Sequence, residues 1–113
     1  MKKEIPTQKQ IDICKKNCSA ITPYSLEEMV AVAIKTIGKN PTVGMRNIPN
    51  DGENVTWFFY CGENSEDPDF YQTMHIEHLT DYLPNVFDYL CLEPGFSFII
   101  DGNGYQDVWK NNE

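Results

Sequence analysis

Apolar and polar positions along the chain switch between two periods, and the switches outline its elements. Between residues 7 and 18, Ile11, Cys14 and Cys18 fall at i, i+3 and i+7, which predicts a short helix with one apolar face. Thr22-Pro23 interrupts that pattern. Residues 25–37 satisfy both periods. Ser25 and Glu28 have the spacing of a capping box, and Leu26, Met29, Val30, Ala33, Ile34 and Ile37 fit a helix face. The stretch MVAVAIKTI equally fits a buried strand, because its β-branched residues alternate. TVGMRNI (42–48) and VTWFFYC (55–61) read as strands, and PNDG (49–52) between them predicts a hairpin. An acidic loop of residues 62–72 follows. Thr73 is placed to cap a helix in which Ile76, Leu79 and Leu83 share a face. Pro84 suits the first turn of a second helical segment lined by Val86, Phe87 and Leu90. GFSFIID (95–101), the turn GNG (102–104) and YQDVW (105–109) predict a second hairpin. The sum is a small α+β domain over residues 7–113, with a mostly antiparallel sheet, helices on one face, and a frayed tail of residues 1–6.

The length of 113 residues suffices for one modest core and not for two. Charge changes the picture more than size does. Residues 1–46 hold eight Lys or Arg against four acids, whereas residues 47–109 hold twelve acids and no Lys or Arg. Such a stretch repels nucleic-acid phosphates and anionic membranes, and it attracts a basic protein or a cation. Lys2 and Lys3 are followed by no apolar run of the length a secretion signal needs. The longest purely apolar run, 29–34, is far too short to span a membrane. The expected compartment is the cytoplasm, with Cys14, Cys18, Cys61 and Cys91 as reduced thiols.

Read in order, QIDIC, AVAIKT, TVGMR, WFFYCGE, DPDFY, MHIEHL, VFDYL, EPGFSFIID and GYQDVW resemble the bacterial immunity protein 33 family. The most specific part is GE-x-S-x-DPDF followed by H-x-EHL and PG-x-x-FII, and the likeness extends over residues 8–109. The chain departs from the family pattern at Thr56, where glycine is favoured before the tryptophan, and at Asn47, where histidine is favoured after the arginine. It departs again at Phe96-Ser97, where an aromatic-arginine pair is favoured. The resemblance implies a non-enzymatic cytoplasmic protein that neutralises a cognate toxin of a polymorphic toxin system. It also favours a strand over 29–35.

The candidate partner surface is the acidic stretch and the helix it leads into. Glu63, Glu66, Asp67 and Asp69 have no basic neighbour in sequence, Phe70 offers an aromatic anchor, and His75 and His78 follow. A solvated loop is the plainer reading of the same charges. His75 and His78, at i and i+3, can reach one region and with Glu63 or Asp69 make a zinc set, although the spacing is not that of His-Glu-x-x-His metalloproteases. That set would serve a small metal-dependent enzyme, and a regulatory module for another basic protein is a third possibility. No cofactor is expected, and catalytic motifs are absent: there is no phosphate-cradling glycine loop and no nucleophile elbow. Arg46, the one base between Lys39 and Lys110, is expected to pair with Glu63 or Asp69 and anchor the loop. Trp57, Phe59 and Cys61 share one side of their strand and point to a core, leaving Phe58 and Tyr60 on a side open to a partner. Cys14 and Cys18 read as small buried apolar residues, and IDGNGYQD as a hairpin turn rather than a calcium loop.

Overall fold

The computed structural model describes residues 5–48 and 55–111. The turn expected at 49–52 and the first four residues of the expected tail lie outside them. Ile5, within that tail, packs half-buried against the core.

Helix α1 (Gln8–Lys16) begins at a complete capping box: the Thr7 hydroxyl accepts from the Gln10 amide, and the Gln10 side chain accepts from the Thr7 amide. Cys14 is buried on its inner face, as the periodicity indicates. Cys18 is not. It follows the C-cap Asn17 with φ of 59° and is exposed, because the helix ends before the i+7 position is reached. The residue that joins Cys14 inside is Gln10, whose amide nitrogen donates to the Tyr24 hydroxyl and to the Phe87 carbonyl.

The ambiguous stretch 25–37 resolves as a strand only over 29–32, shorter than the expected 29–35. Ser25 and Glu28 do make the capping-box bond, with the Ser25 amide donating to the Glu28 carboxylate, but it closes a turn and not a helix. Strand β1 (Met29–Val32) follows, then a 3₁₀ turn over Ile34–Thr36. Val30, Ala31 and Val32 are all buried because β1 lies inside the sheet, with Val30 and Val32 in the core and Ala31 covered on the other face. Strands β2 (Thr42–Arg46) and β3 (Val55–Cys61) form the expected antiparallel pair. β5 (Phe96–Ile100) and β6 (Gln106–Lys110) form the second. The turn between β5 and β6 is held by the Asp101 carboxylate, which accepts from the Asn103 and Tyr105 amides.

One strand was not anticipated. Residues expected to start a helix at Thr73 form strand β4 (Gln72–His75), antiparallel to β1. Helix α2 (Ile76–Tyr82) starts only after it, and its N-cap is His75, not Thr73. Tertiary pairing prevails here, because β4 satisfies the backbone groups along the free edge of β1. The Ile76 amide then donates to the Glu28 carbonyl at 2.7 Å, giving one of the orphan N–H groups of the helix start a partner. Ile76, Leu79 and Leu83 turn inward as expected, and Pro84 opens a 3₁₀ segment over Pro84–Tyr89.

The strands assemble as one six-stranded sheet in the order β4-β1-β3-β2-β5-β6, antiparallel except for β1 with β3. The helices cover one face. There Val30, Val32, Trp57, Phe59, Phe96, Phe98 and Ile100 pack with Cys14, Ile76, Leu79, Leu83, Val86 and Leu90. Gly44 lies opposite Phe59 on one side and Phe98 on the other, and both rings close over it. A side chain there would occupy the space of those rings, so the glycine is required by packing rather than by its backbone angles.

Candidate functional site

The acidic loop leaves β3 through Gly62, whose φ of 78° favours glycine and whose amide donates to the Pro41 carbonyl. The loop then organises itself. The Ser65 amide donates to the Asn64 side chain, the Asp67 amide to the Ser65 hydroxyl, and the Asp69 amide to the Asp67 carboxylate. The Phe70 amide donates to the Asp67 carbonyl at 2.9 Å, closing a β-turn with Asp at its first position and Pro68 at its second. That turn returns Phe70 and Tyr71 to the sheet. Phe70 meets Tyr60 at 6.4 Å between centroids, Tyr71 meets Phe58 at 5.3 Å edge-on, and the two loop rings meet each other at 4.9 Å. Burial pushes the Tyr71 hydroxyl pKa up, with the nearby Tyr60 adding to the shift.

The sheet face carrying Phe58 and Tyr60 is therefore partly roofed by the loop's own aromatics, while Glu63, Glu66, Asp67 and Asp69 stay exposed above it. Among the described residues, no Lys or Arg comes within 4.0 Å of any of these four carboxylates. Beside Phe58 on the same face lies a depression of about 460 Å³, bounded also by Met45, Ile48, Gly95 and Asn111. Its walls come from four separate chain segments, and no local pattern in the sequence announces them.

Arg46 does not anchor this loop. Its side chain points to the opposite, helix-covered face and is 6 % exposed. Its Nη1 donates to the carbonyls of Thr22 at 3.0 Å, Leu90 at 3.2 Å and Leu92 at 2.8 Å, and the guanidinium lies 5.8 Å from the centre of the Trp57 ring. The expected pairing with Glu63 or Asp69 fails because Arg46 shares the face of Trp57 across the β2/β3 register, while the loop folds over the other face. Desolvation lowers the guanidinium pKa, and the nearby Glu28 charge opposes that shift. Arg46 is thus a structural staple between the segments around residues 22 and 90.

The histidines do come together, with a different carboxylate from those expected. Donor atoms of His75, Glu77 and His78 all lie within 4.8 Å of one another, and all three side chains are exposed. His78 Nε2 is 4.0 Å from Glu77 Oε1, and the imidazole centres are 6.3 Å apart. Glu63 and Asp69 are not members of the cluster. They precede β4, whereas His75 ends it, about 10 Å further along at the rise of an extended strand. His75 pairs with Met29, two residues from Ala31, which lies alongside Phe58, so it projects from the same side of the sheet as the loop aromatics.

Of the four cysteines, Cys14, Cys61 and Cys91 are buried and free, and Cys18 is exposed and free. Burial raises the pKa of Cys91 to about 11 and also raises that of Cys14. No described helix is long and apolar enough to cross a membrane.

Architecture and surface together define a small α+β domain with one face closed by helices and an acidic, aromatic-backed surface on the other. A family model described as the Imm33-like domain matches residues 9–111, nearly the whole chain, and the chain belongs to that family. No curated protein and no solved structure gives a significant match.

Proposed function

We propose that this chain is a cytoplasmic immunity protein that binds a basic toxin domain stoichiometrically and occludes its substrate groove, without catalysis of its own. Membership of an immunity-protein family supports the class. The observation that carries the mechanism is the acidic loop: four exposed carboxylates without a cationic partner among the described residues, on a backbone held in place by its own turn and by stacked rings. Fixed charges of one sign accelerate encounter with an opposite surface and imitate a polyanionic substrate. Affinity then comes from desolvated anchors. Phe70 supplies an aromatic anchor within the loop, and the depression beside Phe58 a receiving hollow on the same sheet face. In this reading Glu63, Glu66, Asp67, Asp69 and Phe70 form the centre of the contact, and His75 and His78 its margin.

Capture of a partner from the source lysate, eluted by rising salt, identifies the toxin, and reconstitution with the purified toxin measures inhibition. The double reversal Glu63→Lys with Glu66→Lys is expected to lower the association rate by at least about tenfold and to flatten its salt dependence. Both residues lie outside the Asp67 turn, so the loop keeps its shape. Inhibition unchanged by the reversal would move the interface away from the loop. A captured basic partner that is not a toxin would instead favour a regulatory binding module.

A further inference from the structure

We propose that His75, Glu77 and His78 form a surface site for a borderline divalent transition-metal ion, zinc above all. This inference is independent of the toxin-binding reading. The three donors are brought together by the strand-to-helix junction, which the backbone holds firmly. His75 is the last residue of β4, paired with Met29, and Ile76 is 2 % exposed with its amide bonded to the Glu28 carbonyl. As the N-cap of α2, His75 has extended backbone angles (φ −68°, ψ 143°), which place its side chain over the second and third helical residues, Glu77 and His78. An N-cap side chain normally accepts from those backbone amides, but His75 makes no such bond, so its imidazole is uncommitted there.

The donor atoms stand within 4.8 Å of one another. A tetrahedral zinc ion with metal–ligand distances of about 2.0–2.2 Å needs them about 3.4 Å apart. Small torsions of exposed side chains close that difference. Two imidazole nitrogens and one carboxylate oxygen suit zinc and its borderline neighbours, not magnesium or calcium, which require shells of oxygen. Three protein ligands leave at least one coordination position for water or for a group from a partner. The positive end of the short helix opposes the ion, and the Glu77 carboxylate offsets it.

The test is a calorimetric titration of the reduced, chelator-stripped full chain with zinc chloride, in a Cys18→Ser background that removes the exposed thiol. The expected result is one saturable site per chain with a dissociation constant of about 10 μM or tighter. His75→Ala and His78→Ala should each weaken it at least about tenfold, and Glu77→Gln by a smaller factor. All three side chains are exposed, so the metal-free variants should melt with the parent chain. Zinc should raise the melting temperature of the parent and not that of the double histidine variant. No saturable binding up to about 1 mM zinc, or binding unaffected by loss of both histidines, would overturn the proposal. Competition by millimolar magnesium would equally overturn it, since the ion would then sit on carboxylates alone.

Discussion

Arg46→Ala should be among the most destabilising single substitutions in this chain. The guanidinium joins two segments that also meet through the Ile21–Leu92 bridge, the bond from the Thr22 amide to the Cys91 carbonyl, and the bonds of Ser19 and Ala20 with Glu93. Its Nη1 serves the carbonyls of Thr22, Leu90 and Leu92, and the Leu90 and Leu92 bonds are buried. Truncation leaves those two acceptors without this donor, at about 1–3 kcal/mol each. It also removes the cation from beside the Trp57 ring, worth about 0.5–2 kcal/mol. Relief of the charge's own desolvation offsets part of the loss, consistent with a pKa lowered by burial. The net is about 4 kcal/mol, within the range seen when a buried charge network is broken. Against a total stability of about 5–15 kcal/mol, that lowers the melting temperature by about 15 °C. Arg46→Lys should lie between, since an ammonium keeps the charge and donors but lacks the guanidinium's reach and its flat face beside the Trp57 ring. Thermal melts by circular dichroism and urea midpoints measure both variants. A melting temperature for Arg46→Ala within about 3 °C of the parent would refute the staple.

Gly44→Ala places a methyl carbon 2.4 Å from the Phe98 ring and 2.9 Å from Phe59, and Phe98 is itself stacked on Tyr89 at 4.6 Å, so about 2–3 kcal/mol of overpacking should appear in a urea melt. Glu63→Lys with Glu66→Lys should leave the melting temperature within about 2 °C of the parent, because neither charge is paired within the described fold. Stability should fall in alkali. Cys91 titrates at about 11 in the folded chain against an ordinary 9.0, and Tyr24 at about 12 against 10.0, so folded protein holds both protons more tightly than unfolded chain. Their contribution is complete below pH 9, where neither state ionises, and is lost as pH rises through about 11 for Cys91 and about 12 for Tyr24. Denaturant midpoints that stay flat from pH 8.5 to 11.5 would contradict this.

Several elements were legible in the chain because one local rule sufficed. VTWFFYC alternates large buried and half-buried residues, and that alternation identified both β3 and its inner face. Ile76, Leu79 and Leu83 mark the inward side of α2 whichever residue begins it. The acidity of the loop and the i, i+3 spacing of His75 and His78 are likewise local, and so is the ordered set of motifs that points to the immunity family. The remainder was decided by contacts between distant segments. The stretch 29–37 obeys both periods, and its first four residues become a strand because β3 and β4 take up their two edges. β4 itself is mostly exposed and has no apolar alternation, so its extended form comes from hydrogen bonding to β1 and not from its own side chains. Glu77 joins the histidines only because the backbone turns from strand to helix at His75. Arg46 is the clearest case. A lone base in an acid-rich sequence suggests a carboxylate partner, yet the register of β2 against β3 directs it to the other face. There it meets carbonyl oxygens, which every residue carries and which the identity of no side chain reveals.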